Sequence, residues 1–380
     1  MADRLDQPVD TETASRVVKE PRLAVVEVPP IPLVVEEPIW RIRLRLLGRS
    51  LAENWRLFVD NKIGLVGLAI IAIFGLMAIS HPILMATVWE DQRRVYDPVI
   101  GFDAPTVQKT VVEEVTDPVT EVDLQTARAQ GHGLEQVGDE IFFSEQPAPP
   151  SRKHLLGTDP LGRDVFSQLL FSTRAAFFLG VIAAVVTVVL ATTVGSVAAY
   201  YGGWVDSYLM RQSDLILLVP IIPTLIVVSA LFSINLPTLG LVIGLLEGFG
   251  GTAIVLKSQA LAVKVKPFVD AARVAGGSSL RIIYKHIVPN VLPLSFLYMM
   301  FAVTGAISLE AILSFFGLLP VTMSWGIMIN TASTRGYLLS GTDFWWLLLP
   351  AGLAVTLLAG AFFLVGRAMD EVVNPRLRQR

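Results

Sequence analysis

Six long apolar runs, separated by polar segments, set the pattern of this chain. A helix needs about 20 predominantly apolar residues to cross a bilayer, and each of these runs is long enough. The predicted spans are residues 63–88, 175–200, 215–236, 237–256, 288–309 and 344–366. The pattern therefore predicts an all-α membrane protein with six transmembrane helices.

Two of the predicted spans contain residues that interrupt helices. Pro220 and Pro223 lie within the third span, where prolines are tolerated if neighbours bond to the freed carbonyls, and where they produce bends. Gly248, Gly250 and Gly251 interrupt the fourth span. This glycine-rich stretch is most simply explained as a site of close helix packing.

The polar N-terminal region divides into two parts. Residues 1–40 are charged and proline-rich, which predicts a disordered or loosely packed cytoplasmic tail. Residues 41–62 predict a basic amphipathic helix, because apolar side chains recur at helical spacing between arginines. Such a helix is suited to an anionic cytoplasmic leaflet, or to packing against the body of its own complex.

Residues 89–153 form an acidic, proline-containing segment that we expect to be a small extracytoplasmic insertion. Its alternation of Val, Thr and Glu predicts some β content, with strands at Val107–Val115 and Glu140–Phe143. A structural cap on the pore, a receptor-docking surface and a lineage-specific addition are all compatible with its sequence.

Residues 154–174 are predicted to form an outer segment just before the second span. Its turn and helix-cap signals fall into two triplets. The triplets are Gly157, Thr158, Asp159 and Gly162, Arg163, Asp164. Residues Val165–Arg174 then predict an amphipathic helix, which Asp164 would cap and Arg163 would anchor at the membrane interface.

The most unusual polar segment is Pro267–Asn290, between the fourth and fifth spans. It predicts a helix over Asp270–Ala275, a break at Gly276 and Gly277, and a second helix over Leu280–Ile287 that ends before Pro289. Small alanine side chains let another surface approach closely, and glycines allow a sharp reversal. The segment therefore resembles a docking element for a soluble partner more than a simple loop.

Composition supports a membrane protein and excludes some alternatives. The 380 residues are 53% hydrophobic and 17% charged, with mean hydropathy +0.60, and soluble domains carry more charge. A net charge of −3 argues against nucleic-acid binding. The chain has no cysteine for disulfides or thiolate metal sites, and its four histidines lack metal-ligand spacing. We recognise no cleavable signal peptide in the polar first 60 residues.

Lysine and arginine positions predict the orientation of the chain. They cluster before the first span, between the fourth and fifth spans, and after the sixth. With six spans these regions fall on one side, which the positive-inside rule assigns to the cytoplasm. Both termini are therefore predicted to be cytoplasmic, and residues 89–153 to lie outside.

The sequence offers little catalytic chemistry. It has no Walker A pattern to hold nucleotide phosphates and no evident catalytic Ser/His/Asp grouping, so we expect a non-catalytic chain without a cofactor of its own. Charged residues inside spans are functional candidates, and these are Glu247 and Glu310. Glu247 could line a transport pathway, bond to backbone at the glycine break, or be protonated in lipid.

Several motifs together resemble one family. Asp270, Ala271, Ala272, Gly276 and the Ile287-x-Pro289 pair are similar to the EAA loop of ATP-binding-cassette (ABC) importer permeases, with Asp in place of the usual Glu. RIIYKHIVPN and the GTD-x-x-GRD-V signature resemble the oligopeptide/dipeptide/nickel branch, as does the stretch around Glu310. A closing pattern resembles it too: Trp345, Trp346, Pro350, Gly352, Asn374, Pro375, Arg376, Leu377 and Arg378.

The resemblance runs from about Arg41 to the C-terminus, except for residues 89–153. It implies the type I importer permease fold, with residues 175–366 as the core and residues 257–287 as a cytoplasmic ATPase-coupling loop that includes Arg273, Gly277 and Ser278. It also implies a bacterial or archaeal inner membrane location and a set of partners. These are a second homologous permease, two ATPase subunits that hold ATP and Mg, an extracytoplasmic binding protein and membrane lipid.

Other functions remain open from the sequence. Peptides are the majority substrate that the resemblance implies, with nickel or oligosaccharide as alternatives. A stand-alone ion- or proton-coupled carrier would use Glu247 and Glu310 as relay groups and would contain inverted repeats. A non-transporting scaffold would leave the docking element unexplained.

Overall fold

The computed structural model of the chain describes residues 55–114, 118–232, 234–339 and 342–373. The predicted tail at 1–40, most of the predicted amphipathic helix at 41–62, and the end of the closing motif lie outside the described residues. At the described end of the amphipathic segment, Phe58 is buried against Val365 and Ala368. This contact shows packing of Phe58 against the same chain.

The described residues are mostly helical. In chain order the helices are α1 (Lys62–Ala86), α2 (Pro118–Ala129), α3 (Val165–Tyr201), α4 (Gly203–Leu218), α5 (Ile221–Leu231), α6 (Leu236–Phe249), α7 (Gly251–Lys264), α8 (Pro267–Val274), α9 (Ser279–Ile282), α10 (Val288–Phe315), α11 (Trp325–Thr334) and α12 (Trp345–Val373). A π-turn at Ile283–Ile287 joins α9 to α10, and short 3-10 turns lie at Glu90–Gln92 and Tyr337–Leu339. The strands are β1 (Thr106–Thr110) and β2 (Glu140–Ser144).

Six membrane spans can be assigned in the described part of the chain. By length and composition, four continuous helices can each cross a bilayer: α1, α3, the run Ser279–Phe315, and α12. Two further spans are broken pairs, with α4 and α5 bent by 85° and α6 and α7 bent by 46°. Counting each pair as one span gives the six of the predicted all-α membrane fold.

The second and third spans differ from the sequence prediction. The predicted outer helix and second span are one 37-residue helix, α3, because the chain contains no strong breaker between the Asp164 cap and Gly202. Gly202 has φ +65° and ends α3. The polar segment between the second and third predicted spans, which the sequence suggests is a short cytoplasmic turn, is also helical, since α4 begins at Gly203 and runs to the break before Pro220.

The fourth and fifth spans are longer than predicted. The fourth breaks at Gly250, and α7 then continues to Lys264. The helix predicted over Leu280–Ile287 does not end before Pro289, because the helical run Ser279–Phe315 is continuous over 37 residues. Proline lacks an N–H and its ring crowds the preceding turn, and the wider π-turn at Ile283–Ile287 lies where that disturbance falls.

Close packing on α3 holds the core together. A Cβ added to Gly240, Gly244 or Gly248 of α6 would come within 2.6–3.0 Å of side chains of α3. The side chains are Ile182, Val186 and Leu190. Glycines at four-residue spacing thus let two helices approach closely, as predicted for Gly248.

The insertion contains the predicted strands and a helix that was not predicted. β1 and β2 pair antiparallel with Thr106 opposite Ser144 and Thr110 opposite Glu140. β1 ends at Thr110, short of the predicted Val115. Within α2, Leu124 and Ala127 pack inward at helical spacing, so tertiary packing outweighs the β preference of Val and Thr. Lys109 of β1 forms ion pairs with Asp123 of α2 and with Glu145 just after β2, the latter at 3.1 Å. These ion pairs link the strands to the helix.

Candidate functional site

The loop predicted to couple to an ATPase has a helix–turn–helix form. Pro267 occupies the first turn of α8, where its missing N–H costs nothing, and Asp270 lies in the same turn, next to the positive end of the helix dipole. Gly276 has φ +78°, which glycine adopts without strain. Its amide donates to Arg273 O at 3.0 Å, and the Gly277 amide donates to Ala272 O at 3.0 Å.

The inner face of this loop is anchored in the core. Val269 of α8 and Ile282 of α9 are fully buried, as is Ile287 in the π-turn. They share one apolar cluster with residues of α3, α7 and α10. The loop therefore rests on the spans and does not hang free from them.

The outer face of the loop is exposed and partly apolar. Val274 is 90% exposed, and Leu280 and Tyr284 are also exposed. Asp270 and Arg273 form an exposed ion pair at 3.0 Å, with side chains 60% and 50% accessible. This face of the loop thus combines exposed apolar side chains with an exposed ion pair.

The remaining loop residues of the motif shape this face. Ala271 and Ser278 are exposed, while Ala272 is half-buried. An added Cβ would meet nothing within 4 Å at Gly276, but would lie 2.8 Å from Ala272 O at Gly277. The open space at Gly276 is therefore on the surface, and Gly277 is needed inside the turn.

The loop is joined tightly to three spans. α9 continues through the π-turn into α10, and only Val265 and Lys266 separate α7 from α8. Lys264 Nζ donates to Ala199 O at 2.9 Å near the end of α3. The guanidinium of Arg273 lies 5.9 Å from the centre of the Tyr200 ring.

At the opposite end of the molecule, the two triplets fold into one compact turn. Asp159 Oδ1 accepts the amides of Leu161 and Arg163, both at 2.9 Å. Its Oδ2 accepts from Arg163 Nε at 2.7 Å, Arg163 Nη2 at 2.6 Å and Gln168 Nε2 at 3.1 Å. Arg163 is buried in this pair, and its role as an anchor at the membrane interface stays a prediction.

Glycine and tryptophan close the same turn. Gly157 and Gly162 have φ +71° and +76°, and a Cβ would lie 2.5 Å from Ala148 O at Gly157. Thr158 Oγ1 accepts the Ala148 amide at 2.8 Å, and Trp346 Nε1 donates to Thr158 O at 3.1 Å. The turn thus locks the start of α3 to the start of α12.

Asp164 joins this turn to a buried histidine. As predicted, it caps α3, with Oδ1 accepting the Ser167 amide at 2.6 Å. His154 Nδ1 lies 2.8 Å from Asp164 Oδ2, and His154 Nε2 lies 2.8 Å from Asp103 Oδ2. Lys153 Nζ also reaches Asp103, at 2.5 Å.

The cluster shifts the pKa of two of its members. Burial lowers the pKa of His154, but hydrogen bonds to Asp164 and Asp103 outweigh burial, so the pKa lies above the usual 6.5. Burial raises the pKa of Asp103, but hydrogen bonds with His154 and Lys153 outweigh burial and hold the pKa below the usual 3.8. Sequence reasoning did not connect Asp103 with His154, because they lie 51 positions apart in no shared motif.

Comparison with known proteins identifies the family. The model for "binding-protein-dependent transport system inner membrane component" matches residues 191–379. The dipeptide transport system permease protein DppC of Bacillus subtilis is 36% identical over 242 residues, which are 62% of this chain and 73% of the relative. The oligopeptide transport system permease protein OppC of Mycobacterium tuberculosis is 34% identical over 245 residues, 63% of this chain and 82% of the relative.

A Brucella suis protein whose name assigns it to a peptide transport system is 36% identical over 233 residues, 60% of this chain and 76% of the relative. This chain belongs to the ABC importer permease family. As a permease it is a multi-pass membrane protein of a transport family. The family assignment favours the importer over the stand-alone carrier and the scaffold.

The two candidate carboxylates of the permease have different surroundings. Glu310 of α10 is buried, and Ser314 Oγ donates to its Oε1 at 2.6 Å. Glu247 of α6 is half-buried and faces a cavity between the two broken spans. The loop at 267–290, the turn formed by the two triplets, and Glu247 are three separate places in this permease.

Proposed function

We propose that this permease forms half of the translocation pathway of an ATP-driven peptide importer. Its partners are a second homologous permease, two ATPase subunits that carry ATP and Mg, and an extracytoplasmic binding protein. The observation that carries the proposal is the exposed apolar face of α8 and α9 above a fully buried anchor. Both termini and this loop face the cytoplasm, and the insertion at 89–153 faces outward.

The loop offers the chemistry of a docking surface for an ATPase subunit. Val274, Leu280 and Tyr284 supply apolar area, and Asp270 with Arg273 supply a polar rim. Exposed apolar area rimmed by polar groups is typical of a protein interface. The missing side chain at Gly276, with no neighbour within 4 Å, leaves room for the partner to approach.

The connections of the loop can convert docking into motion of the spans. A displacement of α8 passes to α7 through the two-residue link at Val265 and Lys266. A displacement of α9 passes to α10 because the two are one continuous helix. ATP-driven closure of the partner subunits would therefore move the fourth and fifth spans and switch the pathway between outward-open and inward-open forms.

Peptides are the proposed substrates because the relatives are named for peptide, dipeptide and oligopeptide transport. Uptake of radiolabelled dipeptide and oligopeptide by cells with the complete importer should be lost when this permease is deleted. Uptake of nickel or of an oligosaccharide that depends on this permease, with peptide uptake unchanged, would contradict the peptide assignment.

Cross-linking tests the docking surface directly. The chain has no cysteine, so Val274→Cys introduces one reactive thiol at the most exposed apolar position of the loop. We expect a reagent that carries a maleimide for this thiol and a photoreactive group for any neighbouring residue to link it to the ATPase subunit in the assembled importer. Gly336→Cys, in the loop before α12, is the matched control and should give no such link. Absence of the Val274 product with a correctly assembled complex would overturn the docking site.

A glycine pair tests coupling. Gly276 and Gly336 have φ +78° and +86°, and neither would meet a neighbour within 4 Å through an added Cβ. Valine imposes similar backbone strain at both positions. We expect Gly276→Val to insert into the membrane and to leave ATP hydrolysis without uptake, and Gly336→Val to retain uptake. Wild-type uptake by Gly276→Val would count against the coupling role.

A further inference from the structure

A cavity lies where both broken spans are interrupted. Its volume is about 310 Å³. Leu217 and Pro220 line it from the break between α4 and α5, and Glu247, Gly250 and Gly251 line it from the break between α6 and α7. Two independent helix breaks therefore meet at one partly open cavity beside a carboxylate.

The breaks leave backbone groups at the cavity wall. Pro220 has no N–H, so the last turn of α4 loses a donor, and Ile216 O accepts the Val219 amide at 3.1 Å instead. Gly250 has φ −75° and ψ −137°, which ends α6 and starts α7. Broken helices of this kind form ligand sites in membrane transporters because they direct helix ends at a cavity.

Glu247 sets the charge of the cavity. The C-terminal end of α4 and the N-terminal end of α7 carry opposite partial charges of about half an electron, so they largely offset each other. Among the described residues Glu247 has no hydrogen-bonding or ion-pairing partner, and the other lining side chains are apolar or glycine. A carboxylate in such surroundings attracts a cation that can also donate hydrogen bonds.

Glu310, the other carboxylate within the spans that the sequence singles out, differs from Glu247 because it has a hydrogen-bonding partner. Its Oε1 is hydrogen-bonded to Ser314 on the next turn of the same helix, so its polar group is satisfied internally. Glu247 has no such neighbour and instead borders open space. The two carboxylates thus have different partners available, and only Glu247 can receive a ligand without breaking an existing bond.

We propose that this cavity receives the primary ammonium group at the N-terminus of a peptide substrate, with Glu247 as its hydrogen-bonding partner. The proposal rests on the proposed function as a peptide permease. The cavity is at the small end of the range of about 300–1,000 Å³ for ligand pockets, so it holds the end of a peptide and not its whole length. The apolar wall at Leu217 suits a small apolar first side chain.

Occupancy can be measured by protection of a cysteine. In the purified importer with its partner subunits, Leu217→Cys places the only cysteine of this permease at the cavity wall. The rate of maleimide labelling is measured against increasing trialanine or N-acetyl-trialanine. A charge-assisted hydrogen bond changes affinity by on the order of tenfold or more. We therefore expect half-protection by trialanine at a concentration about tenfold below that of the acetylated peptide.

Two carboxylate variants make the test specific. Glu247→Gln in the Leu217→Cys background should abolish the difference between the two peptides. Glu310→Gln keeps a hydrogen-bonding oxygen beside Ser314 and should retain the difference. Equal protection by both peptides, protection by neither, or a difference that survives Glu247→Gln would each overturn the ammonium site.

The outcomes also separate this inference from the proposed function. Cross-linking at Val274→Cys and peptide uptake without any ammonium preference at Leu217→Cys would refute the cavity assignment alone. An ammonium preference at the cavity without cross-linking at Val274→Cys would refute the docking surface alone.

Discussion

Two aspartate–arginine pairs, one at each end of the permease, have the same chemistry and opposite surroundings. Asp159 and Arg163 are four positions apart, with side chains only 7% and 9% accessible. Asp270 and Arg273 are three positions apart, with side chains 60% and 50% accessible. In the first pair, Asp159 also accepts hydrogen bonds from the Arg163 amide and from the Gln168 side chain. The second pair is largely surrounded by open space.

The difference shows what each pair is able to do. A buried pair that is hydrogen-bonded to its surroundings holds the local fold, and removing one partner leaves a buried charge. An exposed pair contributes little to stability, so its side chains remain available to a partner protein. Residue type alone therefore does not separate a buried structural ion pair from an exposed one.

The largest expected effect comes from breaking the buried pair. Asp159→Ala leaves Arg163 buried without its carboxylate and removes the acceptor of two turn amides. We expect a loss of about 3–5 kcal/mol in the free energy of unfolding, or on the order of 10 °C in Tm. Fluorescence-detected melting in detergent measures it. A fall in Tm no larger than that of Asp270→Ala would refute the structural role.

The next effect compares two glycines with similar backbone angles. Gly162 has φ +76° and an added Cβ would lie 2.7 Å from Gln146 Nε2, whereas Gly276 has φ +78° and open space. Gly162→Ala should cost about 2–4 kcal/mol, from backbone strain and overpacking. Gly276→Ala should cost only the strain, about 1–2 kcal/mol. Equal losses in melting experiments would show that the crowding at Gly162 relaxes freely.

A smaller effect concerns pH at the cluster of Asp103, His154 and Asp164. Because the pKa of His154 is raised above 6.5 in the folded protein, its protonation stabilises the fold fully below pH 6.5 and is lost as the pH rises through the folded pKa. Asp103 has a lowered pKa and is already ionised throughout this range. Tm of the wild type should therefore fall from pH 6 to pH 9 more than Tm of His154→Gln.

The control for this pH effect is the profile of His154→Gln itself, measured beside the wild type under the same conditions. If Tm of His154→Gln depends on pH in the same way as Tm of the wild type, the effect does not come from His154.

The smallest effect on stability belongs to the exposed pair. Asp270→Ala should leave Tm unchanged within measurement error, because exposed ion pairs add little. Its effect should appear in coupling, as less peptide uptake for each ATP hydrolysed in the assembled importer. Unchanged coupling together with unchanged Tm would remove Asp270 from the docking surface.

Local signals predicted much of the fold and the loop. Apolar run length gave the number of spans, and Gly276 and Asp164 marked a turn and a helix cap that the structure contains. These features depend on neighbours within a few positions, which a single sequence displays. The docking, pathway and orientation assignments remain predictions.

Features that depend on distant contacts could not be predicted. The cluster of Asp103, His154 and Asp164 joins residues 51 and 10 positions apart. The burial of Arg163 depends on its pairing with Asp159 inside a folded turn. Continuity of the helix through Pro289 depends on a π-turn, which no residue pattern announces.

That continuity has a mechanical consequence. A helix of 37 residues is about 55 Å long at about 1.5 Å per residue. If it tilts as a stiff rod about the end that joins the loop, a rotation of only about 5° sweeps the far end through about 5 Å by this geometry. The permease can thus act as a lever, in which a slight push at one membrane face becomes a gate-sized movement at the other.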